Sequence, residues 1–325
     1  MVFNPELTRD ALPPFSMQQQ VPTQGAIADY CRFYQLDFEQ DFPQYQHLCG
    51  YFDVVGYRLL AHCFYQEKSR GTVWILHGYL EHSGLYKHII PVLLANNYSV
   101  LIYDLPAHGL SSGARASIHH FVEYQKILQH LIAYFDQKLP KPYLALGQST
   151  GGAILMDYVL NQYQAGQKVV FDRLLLLAPL VYPAKMQWLQ MKLAFWWFKS
   201  TRSGLPRIFR HNTHDQNFIR FMRDEDPLQA RWIPLSWLLA LKEWIEYIHQ
   251  FAPCAHPVWV IQGGQDGTVN GEYNIHFIKQ RFAINKLLWL PEAGHQLVNE
   301  NGLNRQHIID CLIEFLGVCR EVDKN

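Results

Sequence analysis

Six short, unbroken apolar runs set the strongest limit on how this chain can fold. They are GTVWILHG (71–78), SVLIYDLP (99–106), PYLALGQS (142–149), RLLLLAPL (173–180), PVWVIQGG (257–264) and KLLWLPE (286–292). Each is the length of a strand, and none shows the polar–apolar alternation of a half-exposed one. Strands of this kind are covered on both faces, as in a parallel sheet. The intervening stretches supply the cover. Phe121, Tyr124, Leu128, Leu131 and Phe135 recur at helical spacing, as do Ile308, Leu312, Phe315 and Cys319. Upstream, YFDVVGYRLLAHCFYQ (51–66) reads as two strands turning near Gly56.

One long interruption breaks the strand–helix rhythm. Residues 182–251 contain no strand-like run and read as helices inserted as a cap over the carboxyl edge of the sheet. This divides the chain into an N-terminal arm (1–45, partly helical), an α/β core (46–181 and 252–325) and the helical cap (182–251). Apolar residues make up 49% of the 325 positions and charged residues 17%, the composition of a folded globular protein. The formal net charge is zero, which argues against nucleic acid as a partner. Cysteines 31, 49, 63, 254, 311 and 319 form no Cys-x-x-Cys pair, so they read as buried thiols in a reducing compartment, without a metal or redox motif. The N-terminus lacks a basic stretch followed by an apolar one. The most apolar segment, Trp188 to Phe198, contains Lys192 and falls short of the ~18–20 residues that cross a bilayer. A cytoplasmic location is the expectation.

The chemistry centres on Gly147-Gln148-Ser149-Thr150-Gly151, a G-x-S-x-G that follows the run PYLAL and opens the helical stretch AILMDYVL. This is the setting of the nucleophile elbow in the α/β-hydrolase fold. A sharp strand-to-helix turn exposes the serine hydroxyl and leaves no room for side chains at its flanks, hence Gly147 and Gly151. Thr150 opens the helix, where its amide can donate to a developing oxyanion.

A serine hydroxyl needs a base to take its proton. In this fold the acid and the base follow the serine in chain order. Asp266, in VIQGGQDGTV, and His295, in LPEAGHQLVNE, each lie just beyond a strand and satisfy that order. Glu292 and Asp215 compete with Asp266 for the acid's place. The second oxyanion donor belongs to the loop after GTVWIL, where the amide of Tyr79 is the natural choice. His77 and His82 in that loop lack the spacing of a metal pair. Asp104 and His108 read as loop-bracing partners. No cofactor and no metal are implied.

The blocks HGYLEHSGLY, YDLPAHGLSSG, GQSTGG, GGQDGTV and AGHQL, in order between about residues 50 and 320, resemble the monoacylglycerol lipase and lysophospholipase branch of the α/β-hydrolases. The resemblance implies Ser149, Asp266 and His295 as a catalytic triad, with the Tyr79 and Thr150 amides as oxyanion hole. It implies hydrolysis of one acyl chain from a glycerol-based lipid, without a cofactor. Two positions depart from the pattern. Tyr79 stands where the family more often has a small residue, and Leu105-Pro106-Ala107 replaces a glycine-containing turn. A carboxylesterase acting on short esters, a peptidase using cap acids such as Asp224 and Asp226, and a non-catalytic binding protein of the same fold are the alternatives.

The 182–251 segment holds six of the nine tryptophans and an excess of four positive charges. Lys185, Lys192 and Lys199 recur every seven residues beside Trp188, Phe195, Trp196 and Trp197. Two readings follow, compatible with each other: aromatics packing the cap and lining an acyl pocket, or a peripheral contact with a membrane surface. The expected partner is a lipid or small ester substrate.

Overall fold

The computed structural model describes residues 3–184, 204–209 and 212–317. Its centre is an eight-stranded sheet in the order β1-β2-β4-β3-β5-β6-β9-β10. The strands are β1 (Gln46–Val54), β2 (Tyr57–Tyr65), β3 (Thr72–Leu76), β4 (Ser99–Tyr103), β5 (Tyr143–Gln148), β6 (Phe171–Leu177), β9 (Pro257–Gly263) and β10 (Ala283–Leu290). The first two form an antiparallel hairpin turning at Val55-Gly56, and β2 pairs antiparallel with β4. All other pairs are parallel. Three of the unbroken runs behave as their composition requires, every residue of β3, β4 and β5 being buried; β10 departs from the expectation, because at the edge of the sheet it buries only Leu290 and leaves Trp289 exposed. This is the mostly parallel, helix-flanked sheet of the α/β-hydrolase fold.

Helices cover both faces. Val122–Phe135 buries Tyr124, Ile127, Leu128, Leu131 and Phe135. Thr150–Gln164, directly after β5, is buried from Thr150 through Leu160. Gly302–Phe315 turns Ile308, Cys311, Leu312 and Phe315 to the other face; Cys319, expected on the same stripe, lies outside the described residues.

The N-terminal arm is helical at Pro5–Ala11 and Ala26–Tyr34. It packs tightly: Phe3, Ile27, Tyr30, Cys31, Tyr34 and Leu36 are all buried in the core on one side of the sheet. Gly50 of β1 shows how closely the arm lies, since a Cβ there would come within 2.7 Å of Phe15 Cα.

Between β6 and β9 the described chain carries the helices Gln216–Arg220 and Leu235–Ile248, joined through a π-helical turn at Phe221–Glu225. It also carries two strands that the sequence reading lacks, β7 (Leu205–Pro206) and β8 (Trp232–Ile233), paired antiparallel. Each is two residues long, too short for any periodicity to register, and their pairing is set by contact alone. Lys185, Trp188, Lys192, Phe195, Trp196, Trp197 and Lys199 lie outside the described residues. No helix among the described residues is long and apolar enough to cross a membrane.

Candidate active site

Ser149 sits at the bend between β5 and the Thr150–Gln164 helix, with φ 51° and ψ −110°. This is a left-handed backbone on a non-glycine residue, held because its surroundings over-determine it. Its amide donates to Leu177 O at 2.8 Å and its carbonyl accepts from Ala153 N and Leu180 N. The flanking glycines are obligatory. A Cβ at Gly147 would lie 2.5 Å from Gly152 N, and one at Gly151 would overlap the carbonyl oxygen of Leu76.

Ser149, His295 and Asp266 meet in space although 146 and 29 residues separate the bonded pairs along the chain. His295 Nε2 lies 3.0 Å from Ser149 Oγ, and His295 Nδ1 lies 2.8 Å from Asp266 Oδ2. Asp266 is fixed by its own loop after β9: its Oδ1 accepts from Thr268 N at 2.8 Å and Val269 N at 3.0 Å, and its Oδ2 from Gln262 Nε2 at 3.0 Å. Burial pushes the Asp266 carboxyl up, but the His295 charge and these amides outweigh it and hold the group below its ordinary value. Burial alone pushes the His295 imidazole down; the Asp266 charge and hydrogen bond, with Glu81 behind, raise it above its ordinary value.

The loop after β3 passes beside the serine. A Cβ on Gly78 would lie 3.3 Å from Ser149 Cβ. Gly78 N donates to Glu81 Oε2 at 3.0 Å, so the loop is closed on itself just before Tyr79. Thr150 N opens its helix on the other side of the serine. The Tyr79 ring stacks on Trp237 at 3.6 Å and 12°, and its hydroxyl donates to Ala116 O at 2.8 Å. The bulky residue at this position therefore leans on the 235–248 helix.

The rival acids are engaged elsewhere. Glu292 accepts from Gln265 Nε2 at 2.7 Å, and Asp215 caps the 216–220 helix and pairs with Arg305. His77 Nε2 accepts from Leu105 N at 2.8 Å, whereas His82 Nε2 faces Asp226 Oδ2 at 2.9 Å, so the two imidazoles serve separate partners. Asp104 and His108 brace their loop through separate partners. Asp104 accepts from Ser83 N and Leu110 N at 2.7 and 2.8 Å, and His108 Nδ1 bonds Pro106 O.

Four bracing side chains escape a reading of the sequence. Glu81 accepts from Tyr86 OH at 2.8 Å and Gln296 Nε2 at 2.7 Å, tying the Tyr79 loop to the His295 loop. Gln148 Nε2 donates to His295 O at 2.8 Å, and Gln262 steadies Asp266. The only available signal is the position of Glu81 inside H-G-x-x-E-H-S-G.

Fold and site together define a serine hydrolase of the α/β-hydrolase class. The chain belongs to the family described as serine aminopeptidase, S33 (Hydrolase_4), whose model matches residues 67–302. It is similar to a phospholipase, YtpA, of Bacillus subtilis, 33% identical over 98 residues that span 30% of this chain and 37% of that one. It is similar to a monoacylglycerol lipase of Mycolicibacterium smegmatis, 33% identical over 90 residues, 27% of this chain and 32% of that one. The matched stretches thus span about a third of the length of these relatives. The crystal structure of a monoacylglycerol lipase from Paleococcus ferrophilus shares the fold, with a TM-score of 0.67 at 20% identity over 79% of this chain and 98% of that one.

Proposed function

We propose that the protein is a carboxylic ester hydrolase that removes the single acyl chain of a glycerol-based lipid, a monoacylglycerol or lysophospholipid, through an acyl-enzyme. The observation that carries this reading is the Ser149–His295–Asp266 chain of contacts at 3.0 and 2.8 Å. His295 Nε2 takes the Ser149 proton as Oγ attacks the ester carbonyl. The amides of Tyr79 and Thr150 receive the oxyanion, and Asp266 stabilises the imidazolium. His295 then returns the proton to the leaving alcohol. A water, deprotonated by the same imidazole, cleaves the acyl-enzyme and restores Ser149.

The similarity to a phospholipase and a monoacylglycerol lipase supports a lipid acyl ester as substrate. A peptidase reading needs a free carboxylate to hold a substrate's amino terminus. The candidates are committed: Asp224 pairs with Arg223 at 2.8 Å, and Asp226 is enclosed by His82, Tyr34 and Gln229. Peripheral contact with a membrane surface also belongs to this proposal. Trp232 of β8 and Ile208, two residues beyond β7, are 57% and 66% exposed, and Arg231 adjoins Trp232 in the chain.

The test is a panel of monoacylglycerols, lysophospholipids and short nitrophenyl esters against wild type and Ser149→Ala. The expected result is turnover rising with acyl length and lost in the variant. Turnover retained by folded Ser149→Ala overturns the mechanism; a preference for the shortest esters overturns the substrate.

A further inference from the structure

The side of the sheet that the N-terminal arm covers holds a cluster the hydrolase chemistry does not use. Cys31 projects from the Ala26–Tyr34 helix, His47 from β1 and His62 from β2. All three are buried, at 2%, 2% and 0% exposure. One donor atom from each lies within 4.8 Å of the other two. We propose that Cys31, His47 and His62 form a binding site for a divalent ion of the zinc class, which clamps the N-terminal helix to the β1–β2 hairpin.

The ligand set is the first argument. A thiolate and two imidazoles suit zinc and its neighbours and do not suit calcium or magnesium. With Zn–N near ~2.1 Å and Zn–S near ~2.3 Å, tetrahedral donors sit roughly 3.3–3.6 Å apart. His47 Nε2 and His62 Nδ1 are already 3.0 Å apart, and from the 4.8 Å bound Cys31 has to close by roughly 1.2–1.5 Å at most. Cys49 lies opposite His62 in the β1–β2 register and is also buried, so it is the next soft donor in line.

Support behind the ligands is the second argument. Glu39 Oε1 lies 2.8 Å from His47 Nδ1. A carboxylate behind a histidine holds the proton on the far nitrogen and turns the lone pair of the near one inward, the arrangement found behind metal-bound imidazoles. The Glu39 side chain is 42% exposed, so the cluster has an end open to solvent.

On binding, Cys31 Sγ gives up its proton to solvent and the thiolate takes the ion, so uptake is coupled to folding of this face.

The clamp would act on the helix that supports the active-site loops. Tyr30 OH lies 3.3 Å from Ser83 Oγ, and Tyr34 OH donates to Asp226 at 2.6 Å. The full-length protein, stripped with a chelator and titrated with Zn²⁺ or Co²⁺, is expected to take up one ion per chain. Its melting midpoint should rise on the order of 5 °C at about 100 Kd of metal. The cobalt form should show thiolate-to-metal charge-transfer absorption. In Cys31→Ser both signals should vanish while a short nitrophenyl ester is still hydrolysed, because Cys31 takes no part in the triad. Three results overturn the proposal: a cobalt complex without thiolate absorption, a wild-type melting midpoint indifferent to metal, or an undiminished shift in Cys31→Ser. The wild-type titration decides the matter even where the variant does not fold.

Discussion

His82 Nε2 lies 2.9 Å from Asp226 Oδ2, and the two side chains, 1% and 0% exposed, join the loop beside Ser149 to the segment inserted between β6 and β9. The carboxylate is further enclosed by Tyr34 OH at 2.6 Å, Gln229 Nε2 at 2.7 Å and Leu228 N at 2.9 Å. It is a buried charge with every lone pair used. Such a pair is strongly destabilising to break, because one partner is left charged and unpaired.

The acid limb of the stability curve should report this pair. Burial pushes the Asp226 carboxyl up, yet His82 and its other donors win and hold it at about 2. A carboxyl titrating near ~3.9 when unfolded and lower when folded adds stability that is complete above about pH 5 and lost as the pH falls below 2, about 2.6 kcal/mol in all. Asp226→Asn should cost roughly 3 kcal/mol at pH 7 and flatten the dependence between pH 4 and 2. Guanidinium melts across that range, for wild type and variant, make the comparison; parallel curves would refute the assignment.

The pH dependence of catalysis should follow His295. The imidazole must be neutral to accept the Ser149 proton, so kcat/KM should fall as the pH drops through the His295 value. Asp266 raises that value above the ordinary one, so the acid limb should lie above ~6.5. In Asp266→Asn the limb should move to lower pH while kcat drops by about 10⁴. A limb that stays in place in the variant would dissociate Asp266 from His295.

Tyr79 and Gly78 should behave oppositely. Only the amide of Tyr79 is asked to hold the oxyanion, so Tyr79→Ala should keep turnover of a short ester within about tenfold while altering the acyl-length preference through loss of its stack on Trp237. Gly78→Ala should be far more damaging. Its Cβ would sit 2.6 Å from Glu81 Oε1 and 3.3 Å from Ser149 Cβ. Steady-state kinetics on a chain-length series separates the two, and equal losses would argue against the Tyr79 amide as donor.

Ala107 occupies the left-handed region, with φ 63°. It stands in the Leu105-Pro106-Ala107 turn. An alanine held there costs about 1 kcal/mol, partly offset by the extra chain entropy a glycine would lose on folding. Ala107→Gly should therefore raise stability by roughly 0.5 kcal/mol. Denaturant midpoints at unchanged slope measure it; a clear loss would mean that the methyl group, packed near Gly113, matters more than the backbone.

Much of this was legible in the sequence because the decisive signals are local. Continuous apolar runs of five to seven residues become strands of the sheet whatever lies between them, buried in the middle and open at the β10 edge, and a glycine-flanked serine after such a run has few conformations open to it. Asp266 and His295 could be named because each follows a strand directly. Glu81, Gln148, Gln262 and Gln296 could not. Each is a polar residue whose partner is set by the folded loops, as with Gln296 and Glu81, 215 residues apart; the apolar runs that hold Gln148 and Gln262 mark those two as buried but not what they bond. The β7–β8 ribbon was invisible for want of length. The helix at Ala26–Tyr34 reads only as part of a partly helical arm because its aromatics find their partners across the fold, not along the chain.

Tyr34 meets both His82 and Asp226, at a ring separation of 4.9 Å and a hydrogen bond of 2.6 Å. The arm and the inserted segment are thus not interchangeable parts. A chimera that carries another hydrolase's insertion on this core would leave a buried phenol facing a histidine with no carboxylate between them. Such an exchange has to take residues 26–34 along with the insertion, as a single inherited unit.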